Sequence, residues 1–285
     1  KSVVTYSEVR DEKGEKMSIV RILKKAFARI RFFFESNNRN LFRELIRAEL
    51  KATDSNSTLG IMWSLLGPLA MLAVMLAIFK AFYHGSREYP LYLLLGITCV
   101  NFFITTTTYT VRIFHMNREV ILNSTIPREI LIVAKIFIFV YKFSFELLLC
   151  CALSLYYGVF SFAHFAMLPL LLVGFIAFSV GIGLMLALVF CFVADIEHIW
   201  MLVGRLLYFV TPIFYTLQDI PARVANLVYW GNPLSNFLCA FRGIFIAGKA
   251  PFIFDYWYSI GMGMACMIVG YCIFLAIENI AVEKA

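Results

Sequence analysis

The sequence predicts an all-α membrane protein: six transmembrane helices, an N-terminal amphipathic interface helix, and a re-entrant helical hairpin between spans five and six. Three observations carry that expectation. Hydrophobic residues make up 61% of the 285-residue chain and charged residues 15%, against roughly 25% charged in ordinary soluble domains; mean hydropathy is +0.82. Apolar runs of about 20 residues, enough for a helix to cross a hydrocarbon core of roughly 30 Å, recur along the chain. The cations gather at one end, with thirteen of the 25 Lys and Arg residues in the first 51 positions.

Residues 1–58 read as a cytosolic N-terminal segment. Eight acids accompany its thirteen cations, so this is a mixed, basic-leaning membrane-surface segment rather than a nucleic-acid stripe, and no nucleic-acid partner is expected despite the net charge of +7. No cleaved leader is expected either, because residues 1–16 are polar and charged with no short apolar stretch before a small-residue site. Two amphipathic helices are predicted here. In 17–34, Ile19, Ile22, Leu23, Ala26, Phe27 and Ile30 share one face. In 40–52, Leu41, Phe42, Leu45 and Ile46 oppose Arg43, Glu44, Arg47 and Lys51. Basic amphipathic helices beside a span lie in the interface plane, apolar face in lipid and cations at the headgroups. The polar turn "DSNSTLG" follows, where Ser57 or Thr58 can cap the first span.

Residues 59–285 read as the six-span domain. The spans are Ile61–Tyr83, Tyr89–Val111, Ile130–Tyr157, Phe165–Val193, His198–Leu217 and Tyr256–Ile280. Orientation follows from Lys and Arg in the loops. With the N-terminus in the cytosol, that side holds the thirteen N-terminal cations with Arg112, Arg118, Arg128 and Lys284, against Lys80, Arg87, Arg223, Arg242 and Lys249 opposite. Both termini are therefore expected in the cytosol. The connection between spans two and three is longer than a turn needs. Pro127 interrupts it, and Arg118, Glu119, Arg128 and Glu129 flank a short apolar stretch suited to docking on a cytosolic partner. In 218–255, two short apolar pieces joined by "GNP" read as the re-entrant hairpin. Backbone at such depth needs protein or a water-filled cavity beside it.

"GIFIAGKA" (243–250) matches a phosphate-binding loop at all but its last position. Such a loop needs a strand before it, a helix after it and a hydroxyl for Mg²⁺. Here Ala250 stands in the hydroxyl position and Pro251 follows, so no nucleotide chemistry is expected of this chain. Of the seven cysteines, Cys99, Cys150, Cys151, Cys191, Cys266 and Cys272 sit in apolar runs without metal-site spacing; they read as small buried hydrophobes, and no metal is expected. Asp195, Glu197 and His198 are the one polar group at a membrane face resembling an enzyme's, and capping a helix accounts for them.

Several polar residues fall inside the spans. Lys135, Lys142 and Glu146 share one face of the third span. A charge at mid-bilayer costs ~2.5–3.5 kcal/mol, so Lys142 and Glu146 invite an ion pair at i, i+4, with Arg205 as a second partner for Glu146. A gating site facing a cavity and a charge network between helices both satisfy this pattern. Span two carries "NFFITTTTYT", Asn101 to Thr110, whose four successive threonines wrap all faces of a helix; some must bond back to carbonyls, and others either pack helices or line a wet channel. Aromatics such as Tyr208, Tyr215, Tyr229, Trp230 and Trp257 lie near the outer boundary, as an interfacial belt would, and aromatic faces also let sugar rings slide.

The stretch "FRELIRAELKATDSNSTLGIMWSLLGPLAML" (42–72) resembles the leading segment of ABC-2 type exporter permeases, with Leu59, Gly60, Trp63, Gly67 and Pro68 in the matching positions. "NREVILNSTIPREILIVAKIF" (117–137) is similar to their cytosolic gate and coupling segment ending in Pro-Arg-Glu. "TPIFYTLQDIPARVANLVYWGNPLSNFLCAFRGIF" (211–245) resembles the Pro-Ile-x-Tyr … Asn-Pro … Arg stretch of the polysaccharide and polyol-phosphate export branch, which handles O-antigen, teichoic acid and capsule precursors. The resemblance spans about residues 40–280; "KATDSNST" replaces a basic, Tyr-containing stretch common in that family, and residues 1–39 exceed its usual short tail.

The resemblance implies a homodimer in the bacterial cytoplasmic (inner) membrane. Two copies of a separate ABC ATPase subunit would carry ATP and Mg, this chain binding no cofactor and being no enzyme. It places coupling to that ATPase at Glu44, Arg47, Glu119, Pro127, Arg128 and Glu129. The substrate it implies is a lipid-linked glycan, moved among membrane lipids. A channel or gate for it draws on Trp63, Asn101, Tyr109, Lys142, Glu146, Arg205, Tyr215 and Tyr229. An ABC-2 exporter of a drug, peptide or lipid shares these motifs but needs a narrower, more apolar path. A proton-coupled secondary transporter using Lys142 and Glu146 is the rival from another class, although no inverted repeat is visible.

Overall fold

A computed structural model describes residues 36–54, 62–79, 87–116, 128–190, 192–193, 195–246 and 253–284. All regular structure among them is helical. The predicted helix over 17–34 and the capping residues Ser57 and Thr58 lie outside the described residues.

The helices are α1 (Ser36–Asp54), α2 (Met62–Phe79), α3 (Tyr89–Met116), α4 (Arg128–Tyr156), α5 (Phe162–Phe165), α6 (Leu168–Phe190), α7 (Ile196–Val210), α8 (Ala222–Gly231), α9 (Pro233–Phe245) and α10 (Ile253–Lys284). Among the described residues, four segments are long and apolar enough to cross a membrane: Tyr89–Arg112, Ile132–Tyr156, Phe162–Phe190 and Phe254–Ala276. They match predicted spans two, three, four and six. The other two predicted spans are shorter helices. α2 has 18 residues and α7 has 15, and the predicted first span runs into residues that are not described.

Two boundaries differ from expectation. The fifth span was expected to continue to Leu217, but α7 stops at Val210. Pro212 has no N–H to continue the ladder and disfavours helical geometry at Thr211; Thr211 is accordingly extended (φ −78°, ψ 137°). The fourth span, expected to be continuous from Phe165, instead starts as the single turn α5 and restarts at Leu168, just before Pro169.

The long helices run antiparallel to their chain neighbours, which gives the bundle two ends. At the upper end, the Tyr256 hydroxyl at the start of α10 donates to the Met167 carbonyl (2.9 Å), and Ser154 near the end of α4 donates to Phe245 at the end of α9 (2.6 Å). At the lower end, Arg112 of α3 pairs with Glu197 of α7. α1 lies along the lower half of α4, where Phe42 meets Phe137 edge-on at 6.5 Å. Its amphipathicity is as expected: Phe42, Leu45 and Ile46 are half-buried, while Arg43, Glu44, Arg47 and Lys51 are exposed.

Lipid tails are as apolar as leucine, so helices in a membrane associate through close packing rather than hydrophobic burial. Two devices supply it. Phe175 of α6 sits among Phe102 of α3 (5.4 Å), Phe143 of α4 (6.1 Å), and Phe237 and Phe241 of α9 (5.1 and 5.4 Å). Along α6 and α10, glycines let the backbones touch: a Cβ built on Gly263 would lie 2.1 Å from the Gly174 carbonyl oxygen, and one on Gly270 2.5 Å from that of Gly181.

Candidate functional site

The break after α7 leaves carbonyls pointing inward with no helical partner. Each unpaired one in an apolar interior costs several kcal/mol, roughly 2–7 by transfer measures. Side chains from α3 and α9, with one from the break itself, close them. Arg242 of α9, 8% exposed, donates to the carbonyls of Pro212 (2.7 Å) and Ile213 (3.2 Å), reaches Tyr92 O on α3 (3.2 Å), and lies 3.2 Å over the Tyr92 ring. Tyr92 donates its hydroxyl to Tyr215 O (2.8 Å). The Tyr215 hydroxyl turns back to Val210 O (3.0 Å), capping the last turn of α7. Gly96 makes the space, since a Cβ there would come within 2.9 Å of the Ile213 side chain and 3.3 Å of the Arg242 guanidinium.

The Gly-Asn-Pro joint between α8 and α9 is fixed to the same break. The Asn232 side chain accepts from Leu234 N–H (3.1 Å), capping α9, and donates to the Thr211 hydroxyl (2.9 Å). Pro233 fills the first helical position, where a missing N–H costs nothing. The two short apolar pieces are thus helices of unequal character. α9 is largely buried among α3, α6 and α10, whereas α8 is exposed, with Leu227 73% exposed. Tyr229 of α8 donates to the Asp255 carboxylate in the first turn of α10, and its carbonyl accepts from Asn236 (3.0 Å).

Lower in the bundle, α3, α4 and α7 enclose an open cleft of about 570 Å³. The threonine run resolves here by helical period. Thr107 and Thr110 point into the packing and bond back to the carbonyls of Phe103 and Thr106 (both 2.8 Å), and Thr107 also accepts from the Trp200 indole (2.9 Å). Thr105 and Thr108 occupy the face shared with Tyr109 and Arg112 and line the cleft. Across it stand Arg205 and Tyr208 of α7, and the Tyr208 hydroxyl donates to Asn101 at the cleft's upper edge. Lys135 of α4 lies over the Tyr109 ring at 5.5 Å.

The structure sorts the expected site residues. Asn101, Tyr109 and Arg205 meet at this cleft or its edge; Tyr215 and Tyr229 belong to the upper polar contacts. Trp63 is 60% exposed on α2. The expected Lys142–Glu146 ion pair does not form, nor does one between Glu146 and Arg205: the ion pairs among the described residues join Arg47 to Glu44 (2.8 Å) and Arg112 to Glu197. A shared helix face brings side chains within reach but does not aim them, and Glu146 instead lies within electrostatic reach of Cys99, Cys150 and Tyr208. The Glu44–Arg47 pair is exposed on α1. Glu119 and Pro127 lie outside the described residues, as do the side chains of Arg128 and Glu129. Asp195, expected to cap α7, makes no capping bond, and Glu197 serves the Arg112 pair. Arg242 was not among the expected site residues, although its place after Asn-Pro in an apolar stretch marks a cation needing buried acceptors.

The sequence model of the family described as ABC-2 type transporter matches residues 40–246. The chain is 25% identical over 231 residues to the O-antigen export system permease protein RfbA of Klebsiella pneumoniae, an alignment covering 79% of this chain and 87% of that protein. It is also 25% identical over 217 residues to the O-antigen export system permease protein RfbA of Myxococcus xanthus, covering 75% and 83%.

Proposed function

The chain belongs to the ABC-2 type transporter family, and from that premise we propose that it is the transmembrane subunit of an ATP-driven exporter of a lipid-linked polysaccharide. The observation that carries the reading is similarity to O-antigen export permeases over most of both chains, 70–79% of this one and 78–87% of theirs. A match of that extent shares the helix order and not only one motif.

In this reading the lower end of the bundle faces the cytosol of a bacterium, both termini included, and the spans cross the cytoplasmic membrane. Residues 1–58 form the cytosolic segment. α2 and α7 complete a six-span subunit, a short helix being accommodated by local thinning or by association with a neighbour. Support comes from the exposed apolar stripe of α7 (Ile199, Leu202, Leu206, Phe209), a surface for lipid or for a second copy in a homodimer. α8 and α9 form the outer hairpin at the exit.

ATP hydrolysis takes place on two copies of a separate ATPase subunit. Their closure is received by α1, whose Glu44–Arg47 face is exposed while Phe42 leans on α4, and by the segment holding Glu119, Pro127, Arg128 and Glu129. A push on α1 is thereby delivered to α4, a wall of the cleft. A polymer slides past many weak contacts, so aromatic and hydroxyl groups such as Tyr109, Tyr215 and Tyr229 suit the path better than one tight pocket.

The test is affinity purification after mild detergent extraction, with ATPase activity assayed on the eluate. A co-purifying ATP-hydrolysing subunit is expected, lost on Glu119→Lys with Arg128→Glu. Its absence from native membranes, with transport following a proton gradient, overturns the reading.

A further inference from the structure

We infer that the cleft between α3, α4 and α7 is an anion site that takes a phosphoryl group at membrane depth. Arg205 carries the inference. It lines the cleft one turn below the Tyr208–Asn101 contact, near the middle of α3, and no ion pair or hydrogen bond engages it among the described residues. An isolated guanidinium at that depth is costly and persists where it faces water or a counter-charge. Among the described residues its neighbours offer no carboxylate to supply one. Glu197 is taken by Arg112, and Glu146 makes no ion pair. Lys135 stands over Tyr109 from the α4 side and adds positive potential.

The uncharged polar groups of the lining are all hydroxyls, from Thr105, Thr108, Tyr109 and Tyr208. Thr105 and Thr108 make no hydrogen bond among the described residues, unlike Thr107 and Thr110 beside them. A planar guanidinium with two hydroxyls opposite it is the donor set a tetrahedral oxyanion satisfies, through charge-assisted hydrogen bonds stronger than neutral ones. A carboxylate would leave part of this set unused. The cleft is also open at the side, and Phe139 and Met201 on its walls offer apolar surface to a chain attached to the phosphate.

Two molecules in a membrane present that chemistry: an anionic phospholipid headgroup and the phosphate end of a lipid-linked glycan. The second deepens the exporter reading and rests on it; the first does not. The test uses the full chain with its co-purifying partner in phosphatidylcholine nanodiscs. Binding of farnesyl monophosphate is compared with farnesol, which has the tail alone. In parallel, native mass spectrometry counts phosphatidylglycerol retained from discs made with equal parts of phosphatidylglycerol and phosphatidylcholine.

Arg205→Gln is expected to weaken farnesyl monophosphate about tenfold, the scale of one charge-assisted hydrogen bond. Farnesol binding stays unchanged, Arg205→Lys keeps the charge but not the planar fork and so restores only part of the affinity, and Arg223→Gln on exposed α8 changes nothing. Thr105→Val, an isosteric change at an exposed position, gives a smaller loss and serves if Arg205→Gln does not fold. Loss of phosphatidylglycerol alone on Arg205→Gln supports the site with the membrane lipid as its ligand. Equal binding of farnesol and its phosphate, or no change with either variant in either arm, overturns the inference. Retained ATPase subunit with Arg205-independent binding sinks this inference alone; absence of that subunit sinks the exporter reading instead.

Discussion

Replacing Gly263 with alanine is a change of one methyl group, and the contact between α6 and α10 makes it severe. The added Cβ would lie 2.1 Å from the Gly174 carbonyl oxygen and 2.8 Å from its carbonyl carbon, where real Cβ contacts essentially never fall below 3.0 Å. The two helices must separate locally by the difference, about 0.9 Å. The obstacle is backbone, so no rotamer change relieves it. Overpacking of this kind costs about 1–3 kcal/mol, occasionally more, and parting the helices also forfeits Cα–H···O contacts of about 0.5–1 kcal/mol each. We expect Gly263→Ala to destabilise by about 3 kcal/mol, a cost at the upper end of that overpacking range. Gly261→Ala, two residues away on the same helix, is the internal control, because its Cβ meets nothing within 4 Å. It is expected to be neutral or to gain up to ~1 kcal/mol of helix propensity. The assay is thermal unfolding in detergent followed by fluorescence-detected size exclusion. Equal melting temperatures for the two variants would refute the close-packing argument.

Other substitutions probe the remaining contacts. Arg242→Met leaves the Pro212 and Ile213 carbonyls without their donor, at about 1–3 kcal/mol each; limited proteolysis should then cut near residues 216–221 before the rest of the chain. Asn232→Ala removes the α9 cap and the bond to Thr211, for about 1–2 kcal/mol, read as a lower melting temperature with helix content retained by circular dichroism. Arg112→Glu or Glu197→Arg alone costs about 0.5–1 kcal/mol, since the arginine is 44% exposed and screened. The double exchange should restore most of that loss in a melting-temperature cycle. Phe42→Ala should loosen α1 from α4, seen as faster amide exchange over 36–54 with the exchange of α6 and α10 unchanged.

Much of the bundle was legible because lipid imposes a length. An apolar run of about 20 residues has few other uses, and the cores of α3, α4, α6 and α10 fall where those runs lie. Run length alone failed at α7, where Pro212 outweighs seven further residues that are mostly apolar or aromatic. The period of 3.6 also held the division of the threonine run, since positions 105, 108, 109 and 112 share a face whatever surrounds it. What spacing cannot supply is aim and opposition. Lys142 and Glu146 sit four apart yet make no pair, because side-chain direction depends on what the neighbouring helices present. Gly174 and Gly263 are ordinary glycines in sequence; only three-dimensional register sets one carbonyl against the other's missing Cβ. In sequence Arg242 is one more loop cation, because its acceptors, the carbonyls freed by Pro212, begin thirty residues earlier.

That guanidinium has a mechanical consequence. It splices the end of α7 to α9, and Asn232 adds a second stitch through Thr211, so segments far apart in the chain move as one strut. α9 is wedged among α3, α6 and α10. An outward swing of α7's upper turn must therefore carry the wedge with it or tear several hydrogen bonds at once. Small displacements are shared across the bundle, and large ones meet a stiff stop.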